Sequence, residues 1–162
     1  MSDNKKLSML ILSANLDKAL ASFIIATSAA SMNYEVNMFF AFWGLNILTK
    51  RKGKFFKGIS IMEKMLNIVN RGGAHRLALS KLNMLGMGKM MMKMMMKKKN
   101  IPSLEELIKM AHEQGIVFFI CDMSRDLMGL KPEDFIDSVN EFCGVATFID
   151  KSSDSEISLV FD

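Results

Sequence analysis

Gly115-Ile116-Val117-Phe118-Phe119-Ile120-Cys121-Asp122-Met123-Ser124-Arg125 reads as a strand that ends on a cysteine and turns at once into a helix. A short apolar run rich in β-branched and aromatic residues, bounded by Gly115 and by polar Asp122 and Ser124, fits a strand covered on both faces, as in a parallel sheet. Cys121 then sits at the carboxyl edge of that sheet, where open α/β folds place their ligands. Ser124 is the expected cap of the helix that follows, which runs through Leu127 and Met128 and closes at Gly129.

Upstream, Leu7 to Ser13 is a first strand, followed by a helix capped by Asn15 that runs from Leu16 to Met32 and stops at Asn33. Glu35 to Phe42 is the second strand, ended by Trp43-Gly44. Leu45 to Thr49 suits a short helical turn, and Lys50-Arg51-Lys52-Gly53-Lys54 an exposed loop. More than about seventy residues then separate the second strand from the Cys121 strand, which implies an excursion of several helices. Its candidates are residues 61–69, residues 75–85, and the segment Lys89 to Lys99, in which Lys89, Lys93 and Lys97 form one basic stripe among methionines. Ser103-Leu104-Glu105-Glu106 is a capping box opening a helix to about Glu113.

Downstream, Pro132 suits the first position of another helix, with Glu133 and Asp134 in its first turn. Gly144 then introduces a strand over Val145 to Ile149, and Ile157 to Phe161 is the last strand. The link between those two is shorter than the dozen or so residues of a usual parallel crossover, so the last strand is expected to run antiparallel at an edge. The whole order implies an α/β fold: a three-layer α/β/α sandwich, flavodoxin-like, with a mostly parallel sheet of about five strands. A single domain over 1–162 is expected, with the helical, Met/Lys-rich excursion at about 50–100.

Composition narrows the function classes. The chain has 162 residues, a formal charge of +4 and 50% hydrophobic residues. No apolar run reaches the eighteen or so residues of a membrane span, and two cysteines are too few for a disulfide framework. With no signal peptide legible at the start, a cytoplasmic, reduced protein is expected. Seventeen methionines are the oddity. A helix with methionine on most faces adapts to varied partners, and the preferred role is a helix that covers the cysteine edge or joins a subunit contact. Membrane-surface binding is the lesser option for so short a stripe, and nucleic-acid binding lacks interleaved aromatics. No metal is expected, since His112 has no second ligand at usable spacing. His75 with Arg71 and Arg76 reads as a solvated face rather than an anion site. No cofactor is expected, because Gly86-x-Gly88 does not follow a strand or complete a dinucleotide fingerprint.

Three blocks of residues resemble a known family: 13–26 (SANLDKALASFIIA), 36–46 (VNMFFAFWGLN), and 121–130 (CDMSRDLMGL) together with Gly144-Val-Ala-Thr147. They are similar to the DsrE/DsrF-like sulfur-transfer proteins, in the branch labelled peroxiredoxin-like and related to domains fused to CoA-disulfide reductases. The resemblance spans nearly the whole chain and departs from the expected pattern at Ser13 and at Cys143. It implies the α/β/α fold, homo-oligomers such as trimers, tetramers or hexamers, sulfur-donor or sulfur-carrier proteins as partners, and a cysteine that holds sulfane sulfur as a persulfide or thiosulfonate. The matching cysteine is Cys121. Whether such carriage amounts to enzymatic turnover stays open.

That chemistry needs an accessible thiolate, and a helix N-terminus beside a cation lowers a thiol from its ordinary value near ~8.5. Ser124 and Arg125 supply a donor and a cation next to Cys121, while Asp122 opposes them. Asn15, Asp17 and Trp43, in loops at the same sheet edge, are expected to wall the pocket, although an ordinary cap (Asn15) and core or interface filler (Trp43) are the plain alternatives. Cys121-Asp-Met-Ser124 has serine where a Cys-x-x-Cys pair has its second thiol, which favours a one-thiol carrier. Cys143 precedes a different strand and is therefore expected at the opposite end of a parallel sheet, out of reach of Cys121. The competing reading is a non-catalytic ligand-binding or regulatory module in which Cys121 is inert.

Overall fold

The computed structural model describes residues 5–50, 73–74, 77–79 and 87–162. The expectations for residues 51–72, for the Arg71, His75 and Arg76 cluster, and for most of 75–85 fall outside these. Residues 77–79 carry no helix. Instead the Ala78 carbonyl accepts a hydrogen bond from the Leu16 amide at 2.7 Å, one of the orphan donors that every helix start must satisfy.

Five strands form one parallel sheet: β1 (Lys6–Ile11), β2 (Glu35–Phe40), β3 (Val117–Cys121), β4 (Glu141–Cys143) and β5 (Ile157–Phe161), in the spatial order β4-β3-β2-β1-β5. Among the described residues the helices are α1 (Leu16–Ser31), α2 (Met87–Lys98), α3 (Leu104–Glu113), α4 (Asp122–Leu127) and α5 (Val145–Ser153), with short 3-10 turns at Phe42–Ile47 and Pro132–Asp134.

Side-chain alternation along the strands separates two buried clusters. Leu7, Met9 and Ile11 of β1, Met38 and Phe40 of β2, and Phe118 and Ile120 of β3 face α1 and α3. Phe39, Ala41, Phe119, Cys121 and Cys143 form a second, smaller cluster, backed by Phe148 of α5. Consecutive residues of a strand point to opposite faces, so these clusters lie on the two sides of the sheet. Small residues let α1 lie close to the strands, and its buried hydroxyls turn inward on their own helix: Ser22 donates to the Ala19 carbonyl and Thr27 to that of Phe23. Ser103 and Glu106 form the expected capping box at the start of α3, so both groups satisfy end donors reciprocally.

Three expectations near the C-terminus are overturned. Residues 145–149 are not a strand but the start of α5, and the strand is the three-residue segment before them. Val145, Phe148 and Ile149 repeat at the spacing of a helix face, which in a nine-residue segment outweighs their β propensity. With α5 as the crossover, β5 has the length of chain it needs to pair parallel with β1, and it does so from Leu7↔Ile157 to Ile11↔Phe161. The helix expected from Pro132 is only a three-residue 3-10 turn.

The Met/Lys segment is helical as read. Its Met92 and Met96 pack on the first cluster, so α2 lies against the α1 and α3 side and does not cover the Cys121 face, the first of the two roles expected for it. Together with Leu16, Leu20 and the start of α3, it borders a cavity of about 800 Å3. Among the described residues no helix is long and apolar enough to cross a membrane.

Candidate functional site

Parallel pairing fixes what meets at the carboxyl edge. Ile11, Phe40, Ile120 and Phe142 stand in one row across four strands, and the next row places Cys121 directly beside Cys143. Neighbouring strands are about 4.8 Å apart and paired residues project to the same face, so the two thiols are side-by-side members of the second cluster. Cys143 therefore lies at the same end of the sheet as Cys121, because it closes β4 rather than preceding a later strand. Both cysteines are free thiols.

Asn140 sets this register. Its amide donates to the Phe118 carbonyl at 3.1 Å, and its side-chain oxygen accepts from the Phe118 amide at 2.8 Å. One residue thus replaces a full rung of the ladder and delivers the three residues after it into line with Phe119, Ile120 and Cys121.

Cys121 occupies the N-cap position of α4, with extended backbone angles and no side-chain cap bond. Ser124 is not the cap: it lies one turn inside the helix, and its hydroxyl is buried without a hydrogen-bond partner among the described residues. An unpaired buried hydroxyl costs about 1–3 kcal/mol. Arg125 is committed elsewhere. Its guanidinium contacts Asp122 at 2.6 Å and Asp126 at 2.7 Å, and lies 5.5 Å from the Phe142 ring centre, pinning α4 to β4. The cation expected beside the thiol is thus already balanced by two carboxylates.

Cys121 is 1% exposed and Cys143 7%. Burial pushes the Cys143 thiol above its ordinary value, a hydrogen bond with Thr147 opposes that, and the charges of Glu141 and Asp122 add to the rise. The sign of the resulting pH effect is set by where the proton stays. Above about pH 9 the unfolded chain releases this proton while the folded chain keeps it. This contribution to stability is therefore whole below that pH and fades as pH climbs through the folded value. We expect the urea midpoint to fall more steeply with rising alkaline pH in the wild type than in Cys143→Ala; parallel slopes would show that the thiol is not held protonated.

The other site residues from sequence are more scattered. Asn15 is at the N-cap of α1 as expected, but its side chain makes no cap bond. Asp17, in the first turn of that helix, lies two strands from β3 with Asn15. Trp43 belongs to the 3-10 turn after β2, is 46% exposed, and follows Phe42, which holds a left-handed backbone at φ 48°. A bulky residue in that region is strained and marks a site worth notice. The turn packs against α4, where Met123 and Leu127 are also exposed, so an apolar rim adjoins the cysteine strand. Among the described residues no cluster of metal-ligating side chains occurs. The residue that sequence reading placed wrongly is Cys143; the signal for it was the helix period of 145–153, which frees Glu141–Cys143 to be the strand.

Comparison with known proteins follows the same lines. Over 155 residues the chain is 37% identical to the protein YrkE of Bacillus subtilis, covering 96% of each chain. Over 157 residues it is 33% identical to the sulfur carrier protein DsrE2 of Allochromatium vinosum, covering 97% of this chain and 98% of that one. The crystal structure of the YchN protein from E. coli superposes with a TM-score of 0.59 across 97% of this chain and 99% of that one, at 12% identity, a likeness of fold alone. Residues 3–160 match the DsrE/DsrF/DrsH-like family, and with relatives this similar along nearly its full length the chain belongs to that family.

Proposed function

We propose that the protein is a sulfur carrier in which Cys121 accepts sulfane sulfur, holds it as a persulfide or thiosulfonate, and passes it to a partner thiol. The observation that carries this reading is a cysteine at the carboxyl end of β3, at the N-terminal boundary of the next helix, in a chain 33% identical to a protein named as a sulfur carrier. Loading is a displacement: the Cys121 thiolate attacks the outer sulfur of a donor persulfide, the donor S–S bond breaks, and the donor leaves as thiolate. Hand-off repeats the step with the partner thiolate as nucleophile. The apolar rim of Phe42, Trp43, Met123 and Leu127 is where a protein partner would dock, and two free cysteines suit a reducing, cytoplasmic setting.

Burial of Cys121 favours a second reading, a ligand-binding module with an inert thiol, since structural cysteines are commonly buried and unreactive. Intact mass after incubation with polysulfide, thiosulfate or tetrathionate separates the two. One reductant-labile sulfur adduct per chain, lost in Cys121→Ser, is the expected result. A folded wild type whose mass and free-thiol count both stay unchanged where an established carrier loads would leave the inert module standing.

A second copy of this chain is the competing occupant of that rim, so self-assembly and partner docking exclude one another there. Sedimentation is expected to show a homo-oligomer, reduced in size by Trp43→Glu; a monomer at micromolar concentration would exclude it.

A further inference from the structure

We propose that Cys143 is a resolving thiol: it attacks the sulfur-loaded Cys121 and discharges the carried sulfur as sulfide. The inference rests on the carrier reading and adds a second fate for the sulfur that Cys121 holds.

The two residues are direct partners in the β3–β4 ladder. Adjacent strands bring paired Cα atoms to about 4.8 Å, inside the window of roughly 4.4–6.8 Å that a disulfide requires. Both side chains belong to one buried cluster, so they project from the same face of the sheet. The Asn140 rung holds the register that keeps them together. Thr147, on the helix that covers this face, hydrogen-bonds Cys143 and stabilises its thiolate when it forms.

The step balances without an outside oxidant. The Cys143 thiolate attacks the inner sulfur of Cys121–S–SH, the bond between that sulfur and the carried one breaks, and the carried sulfur departs with the bond's electron pair as HS⁻. The two cysteine sulfurs are oxidised to a disulfide while the sulfane sulfur is reduced to sulfide. A dithiol reductant of the thioredoxin type, or a pool of small thiols, then returns the pair to two thiols. Burial disfavours the Cys143 thiolate and so slows discharge. Sulfur therefore has two exits, transfer intact to a partner or release as sulfide, and the second needs no partner protein.

The test loads the full chain with polysulfide, removes the excess, and follows sulfide and disulfide together with no reductant present. Wild type is expected to release one sulfide per chain and yield a Cys121–Cys143 peptide in a non-reducing digest. Cys143→Ser, with the circular dichroism and thermal unfolding of a folded chain, should load to the same extent and release sulfide more slowly by more than about tenfold. Discharge by Cys143→Ser at the wild-type rate, or a discharged wild type in which Cys143 still reacts with a thiol reagent, would overturn the resolving role while leaving carriage intact. A wild type that does not load overturns carriage and this step together.

Discussion

Gly44→Ala is expected to lower stability by about 3 kcal/mol or more and the thermal midpoint by roughly 10 °C. Gly44 lies in the 3-10 turn after β2, where its amide donates to the Leu12 and Ala41 carbonyls, each at 3.0 Å. Its Cα is thereby held against the end of β1. A methyl group there would stand 2.9 Å from the Ile11 carbonyl carbon and closer still to its oxygen. The obstacle is backbone, which no rotamer change relieves. That same Ile11 oxygen accepts from the Ala41 amide at 3.0 Å, so moving it disturbs the β1–β2 edge and the turn bearing Trp43. Thermal unfolding measures the effect, and a midpoint equal to wild type would contradict the close approach.

Phe118→Ala carries the other large effect. Phe118 has no exposed surface, and its ring meets Phe23 of α1 at 5.7 Å and Phe40 of β2 at 5.9 Å, both nearly edge-on. These contacts join α1, β2 and β3 at the centre of the larger cluster. Emptying such a site costs about 3–5 kcal/mol, a large share of the roughly 5–15 kcal/mol that holds a domain folded. The denaturant midpoint should fall accordingly with an unchanged slope, and Phe118→Leu should recover much of the loss. An alanine variant within about 1 kcal/mol of wild type would mean that the cluster collapses to fill the space.

Much of the fold was legible because its signals are local and strong. The apolar run at 117–121, the alternation-free strand at 35–40, and the Ser103/Glu106 box each fix an element by composition or capping alone. The C-terminal part was not, because Glu141–Cys143 is too short for any period to register and Val145 to Ile149 satisfies both strand composition and helix spacing. Pairing between distant strands decided that case. The location of Cys121 followed from sequence, whereas its surroundings did not: Arg125 is drawn off by Asp122 and Asp126, Ser124 sits inside the helix it was expected to cap, and Cys143 becomes a neighbour only through the register set by Asn140.

β4 contains three residues and, among the described residues, pairs with β3 alone. An edge element with so few rungs opens at a small fraction of the global unfolding free energy. Its amides should then exchange with solvent well before those of β2, and each opening would bare the inner wall of the cysteine site. Access to Cys121 becomes a matter of breathing frequency: the reaction rate of a bulky thiol reagent would report how often the edge lets go. A bond from Cys121 to Cys143 would close a loop of about twenty residues, a constraint worth about 3 kcal/mol by chain entropy, and would silence that breathing. The oxidation state of the pair would thus also set the stiffness of one edge of the sheet, readable as slowed exchange at 141–143.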